Sequence, residues 1–157
     1  MKKQTNIVSV IIFSILLTSC GFKKINDRQK SIHIQNINIT GKKSTIYVLK
    51  NNILLISDKN SSTKFMIEIK TTESKAMKIK NISGKTTRYN LSINADLILK
   101  NVNSLEKINK SFSKNYDYEV ATNHSNTIEN EKNAYKNVIN QLSEAVINFI
   151  IFSTKVK

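Results

Sequence analysis

The side chain with the most distinctive chemistry in this sequence is Cys20, the only thiol among 157 residues. A single cysteine excludes an internal disulfide framework and a zinc site built from several cysteines. The two histidines, His33 and His124, lie far apart in the sequence, and no nucleophile-histidine-acid triad follows from their spacing. Asp96 stands alone on the polar side of a predicted strand. These residues therefore give little support to a catalytic site or a metal site.

The position of Cys20 gives its thiol a different role. Two lysines open the chain, and residues 7–17 are apolar apart from two serines. This run is too short for a comfortable transmembrane helix, which needs roughly 20 residues, and has the proportions of a secretory signal peptide. It ends in an aliphatic residue, two small residues and the cysteine, in the order Leu17, Thr18, Ser19, Cys20. This ending resembles a bacterial lipobox, and the alternative is an uncleaved anchor with an incidental cysteine.

The lipobox resemblance implies a diacylglycerol on the Cys20 thiol and cleavage of the chain before Cys20. Two or more acyl chains attach a protein stably to a membrane, whereas one chain does so only marginally. We therefore expect residues 1–19 to be a cleaved signal peptide, residues 20–31 to be a lipidated polar tether, and residues 32–157 to form one domain. Gly21, in place of the Asp that favours inner-membrane retention, points to the outer membrane.

Periodicity predicts the first two elements of the domain. Residues 31–40 alternate as a strand, with a slip of phase near Gln35 and Asn36 that indicates a bulge. Residues 44–57 carry apolar side chains at helical spacing, and Ser44 is the predicted N-cap. A polar loop over residues 58–63 follows.

Three longer alternating runs predict strands joined by short turns. The first runs from Phe65 and continues with the same parity to Met77 and Ile79. The second places six apolar side chains on one face: Tyr89, Leu91, Ile93, Ala95, Leu97 and Leu99. In the third, we expect Tyr116 and Tyr118 to pack in the core. Consecutive strands with short connections favour an antiparallel meander.

The last segment has a wide apolar stripe at helical spacing between Ile128 and Ile150. Asn126 and Glu129 have the spacing of a capping box at its start. The element order is strand, helix, strand, strand, strand, helix. The predicted fold is therefore α/β (α+β): a two-layer sandwich with two helices packed on one face of a four-stranded mixed sheet.

This order of elements, together with several short motifs, resembles the LPS-assembly lipoprotein family LptE in its alphaproteobacterial form. The motifs are the opening Cys20-Gly21-Phe22, the helical run from Tyr47 to Ile53, the pair Tyr116 and Tyr118 in the last strand, and the final helix from Ala134 to Ile150. The resemblance implies a lipoprotein on the periplasmic side of the outer membrane. It implies that the protein plugs an LptD-type β-barrel, helps that barrel assemble, and binds lipopolysaccharide during its transport, without catalysing a reaction or binding a cofactor.

The basic residues are unevenly distributed. Residues 21–115 contain 19 Lys and Arg against 6 Asp and Glu, whereas residues 116–157 contain 4 against 5. The meander predicts a basic cluster around the turn between its first two strands, formed by Lys78, Lys80, Lys85 and Arg88. Ammonium and guanidinium groups pair well with phosphate, so this cluster is the candidate site for lipopolysaccharide. The alternative is a solvated sheet end whose lysines reflect A/T-rich codons.

Other function classes have less support. The net charge of +14 also invites a nucleic-acid interpretation. However, an exported lipoprotein rarely meets nucleic acid, and the basic residues are not interleaved with stacking aromatics. A free-standing periplasmic lipoprotein that binds an unknown ligand, or an immunity-type protein, is the main alternative. A small hydrolase is a third.

Overall fold

Residues 32–155 are described by a computed structural model, in which six helices and strands follow one another. They are β1 (His33–Thr40), α1 (Lys43–Leu54), β2 (Lys64–Lys80), β3 (Thr86–Asn101), β4 (Lys107–Glu119) and α2 (His124–Lys155). This is the predicted order. The expectations for the signal peptide, the lipobox with Cys20, and the tether fall outside the described residues.

The four strands form one mixed sheet in the spatial order β1-β2-β3-β4. β1 runs parallel to β2 because α1 returns the chain to the end of the sheet where β1 began. β2, β3 and β4 are joined by short turns and pair antiparallel. The register of β1 shifts between Ile34 and Asn36, which confirms the predicted bulge.

The core lies between the sheet and the two helices. β3 contributes five buried apolar side chains at alternate positions, Leu91, Ile93, Ala95, Leu97 and Leu99. α1 covers β1 and contacts α2, while α2 covers β3 and β4. Both helices therefore lie on one face of the sheet. The predicted two-layer α/β sandwich is confirmed, and the other face of the sheet carries no helix of residues 32–155.

Gly41 allows the sharp change of direction between β1 and α1. Its φ of 143° is rarely adopted by residues with a side chain, and a Cβ here would lie 1.9 Å from the Thr71 hydroxyl oxygen. That hydroxyl donates a hydrogen bond to the carbonyl of Thr40 at 3.0 Å. The end of β1 thus passes directly against β2, at a distance that only glycine permits.

Both predicted helix caps are wrong. α1 begins at Lys43 after Lys42, without a side-chain cap, and the hydroxyl of Ser44 instead shares a 2.9 Å hydrogen bond with the Tyr135 hydroxyl. α2 begins at His124, and the side-chain oxygen of Asn123 accepts a hydrogen bond from the Ser125 amide at 2.7 Å. The start of α2 therefore lies ahead of the predicted capping box, because a polar residue suited to capping also occurs three positions earlier.

The apolar side of the sheet extends less far than its alternation predicts. Met77 and Ile79 are exposed, and the pairing of β2 with β3 changes register at these residues. Tyr118 is buried as expected, but Tyr116 is exposed. In α2, residues 124–133 are exposed or half-buried, and Ala134 is the first buried residue. The close packing of the helical layer on the sheet therefore ends before the far end of the β2–β3 hairpin.

Candidate functional site

The predicted basic cluster lies at the far end of the β2–β3 hairpin. We call residues 77–88 the hairpin tip. The turn is held by the side-chain oxygen of Asn81, which accepts hydrogen bonds from the amides of Ser83 at 3.1 Å and Lys85 at 2.9 Å. Gly84 has a φ of 78°, a conformation that glycine adopts without strain. The tip is therefore an ordered turn that presents its side chains outward.

Two of the four predicted cations at the hairpin tip are paired with acids of β4. Lys78 of β2 forms an ion pair with Asp117 of β4, over the intervening β3, and Arg88 of β3 pairs with Glu119 of the adjacent β4. Hydrogen bonds from Asn90 and then Lys78 hold the pKa of Asp117 below its ordinary value. These pairs neutralise part of the predicted cluster. They arise because β4 lies beside β3, in a register that brings Glu119 opposite Arg88.

The other two cations remain available. Lys80 and Lys85 are exposed, and neither forms an ion pair with any residue of the described range 32–155. Ile82 lies between them in the turn and is fully exposed, and Met77 and Ile79 are exposed nearby. The hairpin tip thus combines two free ammonium groups with uncovered apolar side chains. Phosphate-bearing lipids present the complementary pair of features.

A second group of polar side chains lies between the sheet and the helices, at the edge of the core. Its centre is the carboxylate of Glu73 on β2. That carboxylate accepts hydrogen bonds from the Thr45 hydroxyl and, at 2.9 Å, from the Tyr135 hydroxyl. Lys42 lies 3.3 Å from its other oxygen. One acidic side chain on the sheet therefore links the start of α1 to α2.

Lys75, two residues further along β2, makes a similar set of contacts. Its ammonium group lies 2.8 Å from a carboxylate oxygen of Glu131, and 4.6 Å and 5.3 Å from the ring centroids of Tyr89 and Tyr118. Tyr118 donates a hydrogen bond to Glu131 at 3.0 Å. We call this group the inner polar cluster, with the members Lys42, Thr45, Glu73, Lys75, Tyr89, Tyr118, Glu131 and Tyr135.

The electrostatics of the inner polar cluster favour fixed charges. Partial burial lowers the pKa of Lys75, but hydrogen bonds to Glu131 and Tyr118 outweigh it, so the pKa is raised overall. The hydrogen bond from Lys75 lowers the pKa of Glu131, and burial raises the pKa of Tyr118. The charged forms of Lys75 and Glu131 therefore stabilise each other, and the contacts of the cluster join the sheet to both helices.

The inner polar cluster was not predicted from the sequence, although β2 contained a signal. Glu73 and Lys75 share the odd parity of Phe65, Ile67 and Ile69, so they point to the helical side of the sheet. Charged residues on an apolar face need partners. The partners come from α1, β4 and α2, and periodicity within one strand does not identify them.

The remaining candidate residues do not converge. Asp96 lies on the open face of the sheet and accepts a hydrogen bond from the Ser111 hydroxyl at 2.6 Å. His33 begins β1 and His124 begins α2. Within residues 32–155, no group of three or more His, Cys, Asp or Glu side chains is placed to hold a metal ion. Nor does any helix of that range combine the length and hydropathy that a membrane span requires.

Comparison with known proteins relates the chain to solved structures only. No family model and no curated protein matches it. A candidate lipoprotein from Caulobacter crescentus CB15 matches with a TM-score of 0.57 and 11% identity, over 81% of this chain and 92% of the other. Rare lipoprotein B from Shewanella oneidensis matches with a TM-score of 0.59 and 11% identity, over 77% and 96%. Uncharacterized lipoprotein B from Nitrosomonas europaea matches with a TM-score of 0.54 and 13% identity, over 80% and 85%.

The chain therefore has the fold of these proteins. The match extends over nearly the full length of each, so it includes both helices and the sheet rather than one shared motif. At identities of 11–13%, the likeness concerns the fold.

Proposed function

We propose that this protein is an outer-membrane lipoprotein that plugs an LptD-type β-barrel, helps the barrel assemble, and assists the transport of lipopolysaccharide. It is anchored through Cys20 on the periplasmic side. The observation that carries the proposal is the lipobox Leu17-Thr18-Ser19-Cys20, followed by a domain whose fold is shared with proteins named as lipoproteins. One of those proteins is named rare lipoprotein B.

The uncovered face of the sheet is suited to the wall of a wide, water-lined barrel. Its side chains are mostly small and polar, and several bond to each other, as Asp96 does to Ser111 and Lys100 to Glu68 at 2.7 Å. A shallow depression of ≈ 320 Å³ lies on this face beside Glu68, Lys70 and Asp96. A polar, hydrogen-bonding surface of this kind matches the interior of transmembrane barrels, which is polar.

The hairpin tip supplies the candidate contact for lipopolysaccharide. Lys80 and Lys85 would pair with phosphates of the glycolipid, and the neighbouring Ile82 would contact its apolar part. The protein acts by binding and placement, without a catalysed reaction or a cofactor. The inner polar cluster fits that role, because its charges are used to hold the two layers together.

Co-purification tests the proposed barrel partner. The full chain, tagged at its C-terminus and extracted in mild detergent, should elute with a large β-barrel protein in a ratio of about one to one, as a plug seated in a lumen requires. A Cys20→Ser variant controls for the anchor and should recover much less of the barrel. If the tagged protein elutes alone, the plug proposal is wrong and a free-standing binding module replaces it.

Intact mass spectrometry of the purified protein tests the anchor separately. The expected mature chain begins at Cys20 and carries acyl chains, since the lipobox directs both modification and cleavage. A mass that corresponds to the unmodified, uncleaved chain would contradict this part of the proposal, whatever the co-purification shows.

A further inference from the structure

The end of the molecule opposite the hairpin tip also presents uncovered apolar side chains. We call it the tether end, because the domain begins there at Ile32, directly after the predicted tether. Leu55 is 72% exposed, Leu105 is 86% exposed and Phe152 is 69% exposed. They follow α1, lie in the β3–β4 turn and lie in the last turns of α2, respectively.

Backbone contacts place these segments at the same end of the fold. The amide of Asp58, just after α1, donates to the carbonyl of Ile32 at 2.8 Å. The amide of Val102, in the β3–β4 turn, donates to the carbonyl of Lys64 at the start of β2. A small cavity of ≈ 90 Å³ is lined by residues of that turn and by Ser153 and Thr154 of α2. The exposed apolar residues therefore surround the point where the chain enters the domain.

Leu105 is unusual for its position. Its φ of 61° makes it the one non-glycine residue with positive φ in residues 32–155, and its side chain contributes little to the core because it is almost fully exposed. Turn positions of this conformation favour glycine or asparagine. A leucine at this position neither suits the backbone conformation of the turn nor adds buried area to the core. Its exposed side chain therefore indicates a contact outside the domain.

Lysines flank the apolar residues of the tether end. Lys59 lies in the loop after α1, Lys64 begins β2 and Lys107 begins β4, and all three side chains are exposed. Asp58 and Glu106 precede two of these lysines, so the excess of positive charge is small and the exposed apolar side chains are the main feature suited to a lipid surface. The apolar groups enter the headgroup layer, and the ammonium groups meet the lipid phosphates.

The length of the tether limits which end of the domain can lie at the membrane that holds the anchor. The 12 residues from Cys20 to Ser31 span at most about 43 Å when fully extended. β2 has 17 residues and, at about 3.2 Å per residue, separates the tether end from the hairpin tip by roughly 50 Å. The tether is therefore shorter than the domain. If an upright domain stood with its hairpin tip on the membrane, the tether could not reach down to a lipid on Cys20.

We propose that the tether end is a lipid-contact surface, in which Leu55, Leu105 and Phe152 rest in the headgroup layer of the membrane that holds the Cys20 anchor. The hairpin tip then lies at the end of the domain farthest from the anchor. This orientation rests on the anchor of the proposed function, but not on the barrel or on lipopolysaccharide. Lys80 and Lys85 then lie roughly 50 Å from the headgroups that the tether end contacts.

Fluorescence quenching in vesicles tests the orientation. In the lipidated full chain the Cys20 thiol is occupied, so a cysteine introduced by Leu105→Cys, Leu55→Cys or Ile82→Cys is the only reactive thiol. Each variant is labelled with bimane and reconstituted into vesicles of phosphatidylethanolamine and phosphatidylglycerol, with or without a brominated phosphatidylcholine. Bromine quenches only probes that enter the lipid. We expect roughly twofold quenching at positions 105 and 55, and less than about 10% at position 82.

Ile82→Cys is the matched control, because it is an equally exposed turn position at the opposite end. No quenching at positions 105 and 55, or equal quenching at all three, would overturn the orientation. Since the vesicles contain neither a barrel protein nor lipopolysaccharide, that result would leave the barrel proposal standing. Intact mass is measured on the same samples. A preparation without lipid on Cys20 would overturn both this orientation and the anchor.

Discussion

At the residue scale, each predicted cation forms an ion pair only where a strand of the sheet places an acidic side chain beside it. Lys78 and Arg88 meet Asp117 and Glu119 on nearby strands, while Lys80 and Lys85 extend past the last paired position of β4. Sequence alone identified the cluster but not these partners, because Asp117 and Glu119 lie about 30 to 40 positions further along the chain. The candidate anion site is therefore smaller than the sequence predicted.

Charge reversal at the two free lysines tests the anion site. A Lys80→Glu/Lys85→Glu variant should bind lipopolysaccharide about threefold to tenfold more weakly, because two ammonium-phosphate contacts become repulsive. Binding is measured by surface plasmon resonance with the purified chain in detergent. Lys50→Glu/Lys136→Glu is the matched control, since it makes the same change of charge at exposed helical positions. Equal weakening by both variants would show that only overall charge matters, and no weakening would contradict the site.

At the element scale, the regular strands and helices were predictable and their ends were not. Five of the six alternating residues of β3 are buried, and the apolar stripe of α2 is buried from Ala134 to Ile150. Long runs of consistent period specify an element strongly, because every residue in them repeats the same pattern. Caps depend on a single side chain. Asn123 and Asn126 were both suitable, and the structure uses the side-chain oxygen of Asn123.

The buried stripe of α2 gives a stability prediction. Leu142 is fully buried against the sheet, so Leu142→Ala should lower the free energy of unfolding by about 2–5 kcal/mol, through lost burial and the cavity that remains. Gln141→Ala, at the adjacent exposed position, should change it by less than about 0.5 kcal/mol. Urea unfolding followed by circular dichroism measures both. Similar values for the two variants would mean that this stripe does not hold the layers together.

At the scale of the whole molecule, the inner polar cluster connects the two layers through charge. Glu73 and Lys75 on the sheet bond to Tyr135 and Glu131 on α2. Beyond the cluster, Met77, Ile79 and Ile82 of the hairpin tip are exposed. The cluster thus lies next to the boundary between the packed body and the exposed hairpin tip. Its charges make the stability of the fold depend on pH.

The directions of the pKa shifts define the pH range in which the fold is most stable. Hydrogen bonds lower the folded-state pKa of Glu131, Asp117 and Glu68, so their stabilisation is complete above their unfolded values near 4 and is lost as pH falls through the folded values. The raised pKa of Lys75 stabilises the fold below 10.5, and that contribution is lost as pH rises through its folded value. The raised pKa of Tyr118 acts in the same direction, because the unfolded chain ionises first above 10.0.

We therefore expect the melting temperature to be highest between about pH 5 and pH 10, and to fall on either side. Glu131→Gln should lower it near neutral pH and make the acid-side fall shallower, because one of the shifted carboxylates is gone. Circular dichroism melts over a pH series measure this. Glu129→Gln, at an exposed position of the same helix, is the control and should leave the profile unchanged. An unaltered acid-side slope in Glu131→Gln would show that the pair with Lys75 does not contribute.

The amino-acid sequence by itself determined the order of the elements, the bulge in β1, the two-layer architecture and the candidate lipid anchor at Cys20. These features are local, since periodicity and short motifs act over a few neighbouring residues. Only the tertiary structure decided which cations are free, that Glu73 and Lys75 are paired from other elements, and that Leu55, Leu105 and Phe152 share the end where the chain enters the domain. These features depend on contacts between residues tens of positions apart, which form only when the sheet register and the helix packing are fixed.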